Sequence, residues 1–331
     1  MENIIVGLDV GTTKVCAVVA GTDEHGRINI LGVGKAPSDG MTRGVVTHID
    51  RTTNSIIAAV QEAQASSGVS FRSVIVGIAG DHIQSFQSHG VITVSGQDHE
   101  VTQADIDRLI EDTKRVALPS DRKIIHVIPQ EFIIDGQDGV YDPLGMSGVR
   151  MEGTVHIITG LVSAAQNIYK CAQRAGLEVS DMVLEPLASS YAVLDDEEKE
   201  VGIALLDVGG GTTDLAVFEE RTIRHTAVIG IAGKKVTDDI RKGLGILSEQ
   251  AEKLKKEHGF AYVPAVADNG PIILPGVGGR APIEIDKRLL AQIIQPRMEE
   301  IFEIAALEIK RSGYSKHLSG GVVLTGGGAL L

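Results

Sequence analysis

The chain has 331 residues, a length that suits two folding units or a few small ones, with 43% hydrophobic and 23% charged residues, an ordinary globular mixture. Lys plus Arg number 31 against 44 Asp plus Glu, a net charge of −13, so the summed field repels phosphate polymers and no nucleic-acid partner is expected, while a local phosphate site stays open. Cys16 and Cys171 stand far apart with no Cys or His at metal spacing, which argues against a disulfide framework or a zinc site and fits a reducing cytosol. No run of 18 apolar residues occurs, and the opening Met-Glu-Asn-Ile-Ile-Val lacks a signal-peptide pattern, so nothing in these residues is expected to span a membrane.

In chain order, apolar runs Ile4 to Leu8 and Val15 to Ala20 predict two strands around a Gly-Thr turn. Helical spacing follows over Thr53 to Ser67, then a short β-rich run over Ser73 to Ala79. The rhythm breaks between about 82 and 160. A β-like His82 to Ser95 precedes a helix marked by the capping pair Thr102 and Asp105, with Ile106, Leu109, Ile110 and Val116 on one face. Further β-like stretches cover Lys123 to Asp135 and Gly153 to Thr159, and the segment reads as an inserted small α+β module. A helix over Ser163 to Ala175 returns to the earlier pattern, and Gly202 to Leu206 with Leu215 to Phe218 predicts a second strand–turn–strand unit. Val236, Ile240 and Leu244 share a helical face, and a charged helix runs from Ser248 to His258, stopped by Gly259. Loops from Pro264 to Pro282 carry short strands at Ile272 to Leu274 and Ile283 to Ile285. Met298, Ile301, Phe302, Ala305, Ala306 and Ile309 then mark an amphipathic helix, and Gly320 to Leu331 an apolar strand with a triple-glycine turn.

The two hairpins are copies. Leu8-Asp9-Val10-Gly11-Thr12-Thr13-Lys14 recurs 198 residues on as Leu206-Asp207-Val208-Gly209-Gly210-Gly211-Thr212-Thr213-Asp214, too long a separation for a solenoid and suited to two domains on one plan. A Gly-Thr turn lets backbone approach an anion while amide N–H groups and hydroxyls point into it, and two such turns can clamp one polyphosphate from opposite sides. Asp9 and Asp207, each ending a first strand, suit such a site only with a cation such as hydrated Mg2+ between carboxylate and phosphate. One Asp-x-Gly alone is an ordinary turn; the pair together with Thr325-Gly326-Gly327-Gly328 points to a nucleotide clamp. The Walker and dinucleotide glycine patterns are both absent.

These motifs resemble the actin/Hsp70/hexokinase superfamily, which binds a nucleotide in a cleft between two related domains; the stretch Val183-Leu184-Glu185-Pro186-Leu187-Ala188-Ser189-Ser190-Tyr191-Ala192 is similar to its joining helix. Within it, Ala79-Gly80-Asp81-His82-Ile83, His126-Val127-Ile128-Pro129-Gln130-Glu131-Phe132, Asp142-Pro143-Leu144-Gly145-Met146-Ser147-Gly148-Val149-Arg150 and Val155-His156-Ile157-Ile158-Thr159-Gly160 resemble the FtsA family of bacterial cell-division proteins. The resemblance implies an α/β, actin-like two-domain nucleotide-binding fold with an inserted small α+β (SHS2-like) subdomain replacing the usual actin subdomain 1B. The implied divisions are 1–81 and 161–198 for subdomain 1A, 82–160 for the insert 1C, 199–233 and 295–331 for 2A, and 234–294 for 2B.

It also implies ATP and Mg2+ as cofactors. Gly11, Thr12, Thr13 and Lys14 with Gly210, Gly211, Thr212 and Thr213 would cradle phosphates, Glu252 and Lys255 would meet ribose and adenine, and Gly326, Gly327 and Gly328 would border the adenosine. Gly233 would give a backbone contact, although Ala232 stands where the family has a first glycine. Asp9 and Asp207 would hold the metal, and Glu185, then Asp207, would orient the hydrolytic water, with ATP binding expected more than rapid turnover. The implied partners are copies of itself in a polymer, the tubulin-like division GTPase FtsZ at 234–294, later division proteins at 82–160, and the inner face of the cytoplasmic membrane at the division site, through an amphipathic helix not among these residues. Family members continue past Gly328, so a shortened chain or an aberrant gene is expected. A pilus-assembly actin homologue and a small-molecule kinase of the same superfamily are the alternatives; the kinase needs an Asp aimed at an acceptor hydroxyl, and no residue declares itself in that role.

Overall fold

The computed structural model describes residues 3–96, 98–267, 270–276 and 281–331. The first half begins with an antiparallel meander of β1 (Asn3–Val10), β2 (Lys14–Thr22) and β3 (Ile28–Pro37). After the short pair β4 (Met41–Thr42) and β5 (Val45–Val46), α1 (Ile49–Ser67) crosses back to β6 (Ser73–Ile78), which runs parallel to β1. Ile56, Ala59, Val60 and Ala63 recur along α1 at helical spacing and are buried together with Val6, Leu8, Val15, Val19 and Val76 of the strands.

The insert follows β6: β7 (Gln84–Thr93), α2 (Gln103–Thr113), β8 (Arg122–Ile134), β9 (Gln137–Val140) and β10 (Arg150–Leu161), in a sheet ordered β7-β10-β8-β9. It has a core of its own, in which Ile106 and Leu109 of α2 are buried with Phe132, Ile134 and Met151. The capping pair forms in full: Thr102 N donates to Asp105 Oδ2 at 3.0 Å, Thr102 Oγ1 donates to it at 2.7 Å, and Asp105 N returns to Thr102 Oγ1 at 3.4 Å. The helix ends at Thr113, so Val116, expected on its apolar face, lies beyond it and is only partly buried.

The chain re-enters the first half as α3 (Val162–Arg174) and β11 (Glu178–Leu184), which completes a five-stranded sheet ordered β11-β6-β1-β2-β3. Val183 and Leu184, expected in the joining helix, belong to β11; that helix is α4 (Glu185–Val193), with Pro186 in its first turn, where the missing N–H costs nothing.

After α5 (Asp196–Val201), the second half repeats the plan. β12 (Ile203–Val208), β13 (Thr213–Glu219) and β14 (Thr222–Ile229) form an antiparallel meander like β1 to β3. There follow α6 (Gly233–Leu244), α7 (Ser248–His258), the hairpin β15 (Pro271–Leu274) and β16 (Ile283–Asp286), and α8 (Lys287–Arg311). β17 (Val322–Thr325) then pairs in parallel with β12, as β6 does with β1. Val236 and Ile240 of α6, Leu254 of α7 and Ile294, Met298 and Ile301 of α8 close over Leu206, Leu215 and Val217. The amphipathic helix expected from Met298 starts at Lys287 and carries Pro296 inside it; its buried stripe takes in Leu290, Ala291 and Ile294 but leaves Phe302 and Ala306 exposed. Among the described residues no helix is long and apolar enough to cross a membrane.

Candidate functional site

The two hairpin turns are built alike. Gly11 N donates to Lys14 O at 3.0 Å, and Gly209 N donates to Thr212 O at 3.0 Å, so position 11 corresponds to 209, 12 to 210, 13 to 211 and 14 to 212. The tips meet face to face, and they meet crosswise. A Cβ on Gly211 would lie 2.5 Å from Thr12 Oγ1, and one on Gly210 would lie 2.3 Å from Thr13 Cγ2. Contacts between 12 and 211 and between 13 and 210 are those of a pseudo-two-fold axis running between the turns. The threonine side chains of one tip therefore fill the space that the glycines of the other leave, and only glycine fits there.

Four acids gather behind the tips. Asp9 and Asp207 end β1 and β12, Asp214 faces Asp207 across the second hairpin, and Glu185 opens α4. Burial pushes the Asp9 carboxyl above its ordinary value, with Lys14 opposing and Asp207 adding to the rise. Glu185 is raised well above the usual range, first by burial and then by the charges of Asp9, Asp214 and Asp207. Burial also raises Asp207, against the Lys14 charge and a bond from Ser189 Oγ to its Oδ2 at 3.2 Å. Asp214 is pushed up to about 7 by burial and the Asp207 charge, although Thr212 Oγ1 donates to its Oδ2 at 3.0 Å. Its Oδ1 is buried without a hydrogen-bond partner among the described residues. One lysine facing four carboxylates leaves the cluster short of positive charge.

Other expected site residues surround the second turn. Gly326, at φ 83°, lies against Asp207 and Val208, where a Cβ would come within 2.4 Å of Asp207 Oδ1, and Gly328 packs on Val208. Gly327 has open space around it. Gly233, the first residue of α6, donates from its N to Gly209 O at 3.0 Å, and Lys234 N donates to Gly210 O at 2.8 Å. Lys255 Nζ donates to Gly233 O at 3.1 Å, Thr237 Oγ1 at 2.9 Å and Glu252 Oε2 at 2.7 Å, so the Glu252–Lys255 pair is anchored on the start of α6 beside the turn. Thr213 is fully buried and donates to Ile231 O at 2.8 Å, which commits its hydroxyl to the fold.

Sequence reasoning missed two residues. Asp214 was visible in the second copy, where the first has Cys16, but a carboxylate inside a strand gives no local signal of its role. Lys234, whose Nζ donates to Thr12 O at 3.1 Å across the two halves, has no counterpart in any motif.

Residues 80–159 match the family pattern described as an SHS2 domain inserted in FtsA, and residues 204–331 match that of the cell division protein FtsA. The chain is 46% identical to the cell division protein FtsA of Pseudomonas aeruginosa, covering 98% of this chain and 77% of that protein. It is 44% identical to that of Neisseria meningitidis, over 100% of this chain and 80% of the relative. Among solved structures it is similar to a PilM–PilN type IV pilus biogenesis complex, with a TM-score of 0.67 at 16% identity over 98% of this chain and 82% of that one. MreB5 of Spiroplasma citri bound to AMPPNP has a TM-score of 0.59 at 17% identity, over 99% and 86%. The fold is accordingly the actin-like one with an SHS2 insert, and the chain belongs to the FtsA family of cell division proteins.

Proposed function

We propose that the cleft behind the crossed hairpin turns binds ATP with Mg2+, and that nucleotide binding governs self-polymerisation of this division protein. The observation that carries the reading is the pairing of Thr12 and Thr13 with Gly211 and Gly210 directly in front of Asp9, Glu185, Asp207 and Asp214. Separating the tips exposes backbone N–H groups and the Thr12 and Thr13 hydroxyls on two sides of one polyphosphate, with Lys14 adding a positive charge. The acids fit a divalent cation: four carboxylates outnumber Lys14, and among the described residues Asp214 Oδ1 lacks a hydrogen-bond partner. Among the described residues no three His, Cys, Asp or Glu converge as a ready metal cage, and Mg2+ needs none, since it keeps waters and phosphate oxygens beside one or two carboxylates. When bound, the ion offsets phosphate charge; Asp9 and Asp207 are the residues that would hold it.

Glu185 is the first residue for orienting a water and Asp207 the second. Burial and the neighbouring carboxylate charges favour the protonated form of Glu185, and a protonated carboxyl is a poor base until positive charge enters. Slow turnover follows, with ATP binding as the primary property. Glu252 and Lys255 at α6 and α7, with Gly233 and Gly326 to Gly328, then border the nucleoside. In the polymer, residues 234–294 receive FtsZ, residues 82–160 touch the neighbouring protomer and later division proteins, and an amphipathic helix outside these residues reaches the inner membrane surface.

Calorimetric titration of ATP with Mg2+ into the protein and into Asp9→Ala and Asp207→Ala tests the reading. Each change should weaken binding about tenfold or more, the loss typical of removing a charged partner. Unchanged affinity in both variants would remove the metal assignment, and a protein that stays monomeric on lipid vesicles at high concentration with ATP would remove the polymer.

A further inference from the structure

A second cleft, of about 460 Å3, opens on another part of the molecule, at the seam where the insert meets β14 and the end of α8. Arg224, Arg311, His156, His225 and His317 line it, and no Asp or Glu does, in a chain whose net charge is −13. Its floor is built and incompletely satisfied. His156 is 2% exposed; its Nε2 lies 3.1 Å from Thr226 Oγ1, while its Nδ1 has no partner among the described residues. The Arg224 side chain is 9% exposed and pairs with Glu220 and, from its Nε at 3.9 Å, with Glu219, yet among the described residues that Nε makes no hydrogen bond, and neither does His225 Nε2.

Native interiors rarely leave three buried nitrogens unmet around one space. The acids nearby are not part of the lining but pair with its cations: Glu220 with Arg224, Glu219 with Arg224 at 3.9 Å and with His317 at 2.6 Å, and Glu308 with Arg311 at 2.5 Å, where a bound oxyanion would share the arginines. Burial lowers the pKa of both imidazoles, that of His156 to about 4 with His225 contributing, so each is neutral near pH 7 and retains one N–H donor. Tyr314 adds a hydroxyl, while that of Ser85 already donates to Thr226 O. A surface so rich in donors suits a group that accepts from many directions, and a phosphate oxyanion does so best, with charge-assisted bonds from arginine. The volume lies in the range of small-molecule sites.

We propose that this cleft is a second ligand site, separate from the hairpin turns, that takes the phosphate group of a small molecule. His156 and Ser85 belong to the insert and Arg224 and His225 to the second half, so the ligand bridges the seam that Ser85 Oγ already spans by donating to Thr226 O at 3.1 Å.

The test is a titration of inorganic phosphate into the full chain, followed by side-chain 15N NMR of the histidines. Saturable shifts at His156 and His225 are expected. They should survive Lys14→Ala, which alters only the first cleft, and weaken about tenfold or more in Arg224→Gln, the loss typical of a charged hydrogen bond. Arg311 is 72% exposed, so Arg311→Ala is a variant whose folding is not in question; it should weaken binding severalfold. A parallel titration with glycerol phosphate distinguishes the sources: tighter binding of the ester supports a phosphorylated metabolite, and equal or weaker binding supports the free ion. No saturable shift at tens of millimolar, full affinity in both arginine variants, or shifts abolished by Lys14→Ala would overturn the proposal.

Discussion

Replacing Asp214 with Asn should stabilise the protein when no nucleotide is bound, and should do so only above the ordinary carboxylate range. Asp214 is 5% exposed and is carried from 3.8 to about 7 by burial first and the Asp207 charge second. Near pH 3 and below, under the ordinary value of 3.8, the acid is largely protonated in folded and unfolded chains alike, and the substitution changes little. As pH rises toward 7 the unfolded chain releases its proton while the folded one retains it, so stability falls across that window and then levels off. At about 1.4 kcal/mol per pH unit the full loss is about 4 kcal/mol, an upper figure because Glu185 and Asp207 share the repulsion. Asparagine removes the charge yet keeps an acceptor for the Thr212 hydroxyl, 3.0 Å away. With about 2 °C per kcal/mol for a chain of this size, the variant should melt up to about 8 °C higher at pH 8 and level with the parent at about pH 3. Calorimetric melts across that range in metal-free buffer give the answer. An equal gap at both ends, or a lower melting point for the variant at pH 8, would refute the placing of an ionised Asp214 among the other acids.

Two further outcomes follow from contacts. Gly210→Ala puts a methyl group 2.3 Å from Thr13 Cγ2, an overpacking of about 1 to 3 kcal/mol. Separating the tips relieves that clash, so ATP affinity should rise, by up to about tenfold, and adding Thr13→Ser, which deletes that methyl but keeps the hydroxyl, should return it toward the parent's; equal affinity in all three proteins would contradict the crossed geometry. Gln130→Leu keeps the volume but strips the bonds from Gln130 Nε2 to Ile223 O at 2.7 Å and Arg224 O at 3.3 Å, a loss of about 1 to 3 kcal/mol. Amide exchange in β14 should accelerate, and unaltered protection there would mean that the insert does not hold that strand.

What could be read from sequence was what local patterns encode. The apolar runs beside each turn became β1, β2, β12 and β13, and Thr102 with Asp105 marked the start of α2, because strand periodicity and capping need only near neighbours. The meeting of the turns was less legible. The 198-residue offset pairs Thr12 with Gly210 and Thr13 with Gly211, as the turn hydrogen bonds do, but the crosswise contact of Thr12 with Gly211 and Thr13 with Gly210, which makes the tips complementary, joins distant residues and leaves no local pattern. β14 gave no signal because Arg224, His225 and Thr226 interrupt its apolar pattern, and Gln130 and His156, which bond Arg224 O and Thr226, lie in a module seventy residues or more away. The start of α8 was hidden by Pro296, which tertiary packing of Ile294 and Met298 overrides.

The Pro129-Gln130 step shows how the insert is tied to the rest. Thr154 pairs with Glu131 and Val155 with Pro129, so Gln130 is the extra residue of a β-bulge, and Pro129, with no N–H to give a ladder, is tolerated beside it. The bulge turns the Gln130 amide out of the sheet onto the carbonyl edge of β14. Four residues earlier on the same strand, His126 Nε2 accepts from Leu184 N at 2.9 Å, immediately before Glu185, and burial keeps that imidazole neutral, as an acceptor must be. One strand thus grips both the helix start that carries Glu185 and the edge of the sheet that carries Asp214. Packed cores move as bodies and do not deform smoothly. Any change in the spacing of the hairpin turns must therefore be carried into the insert through these bonds or break them.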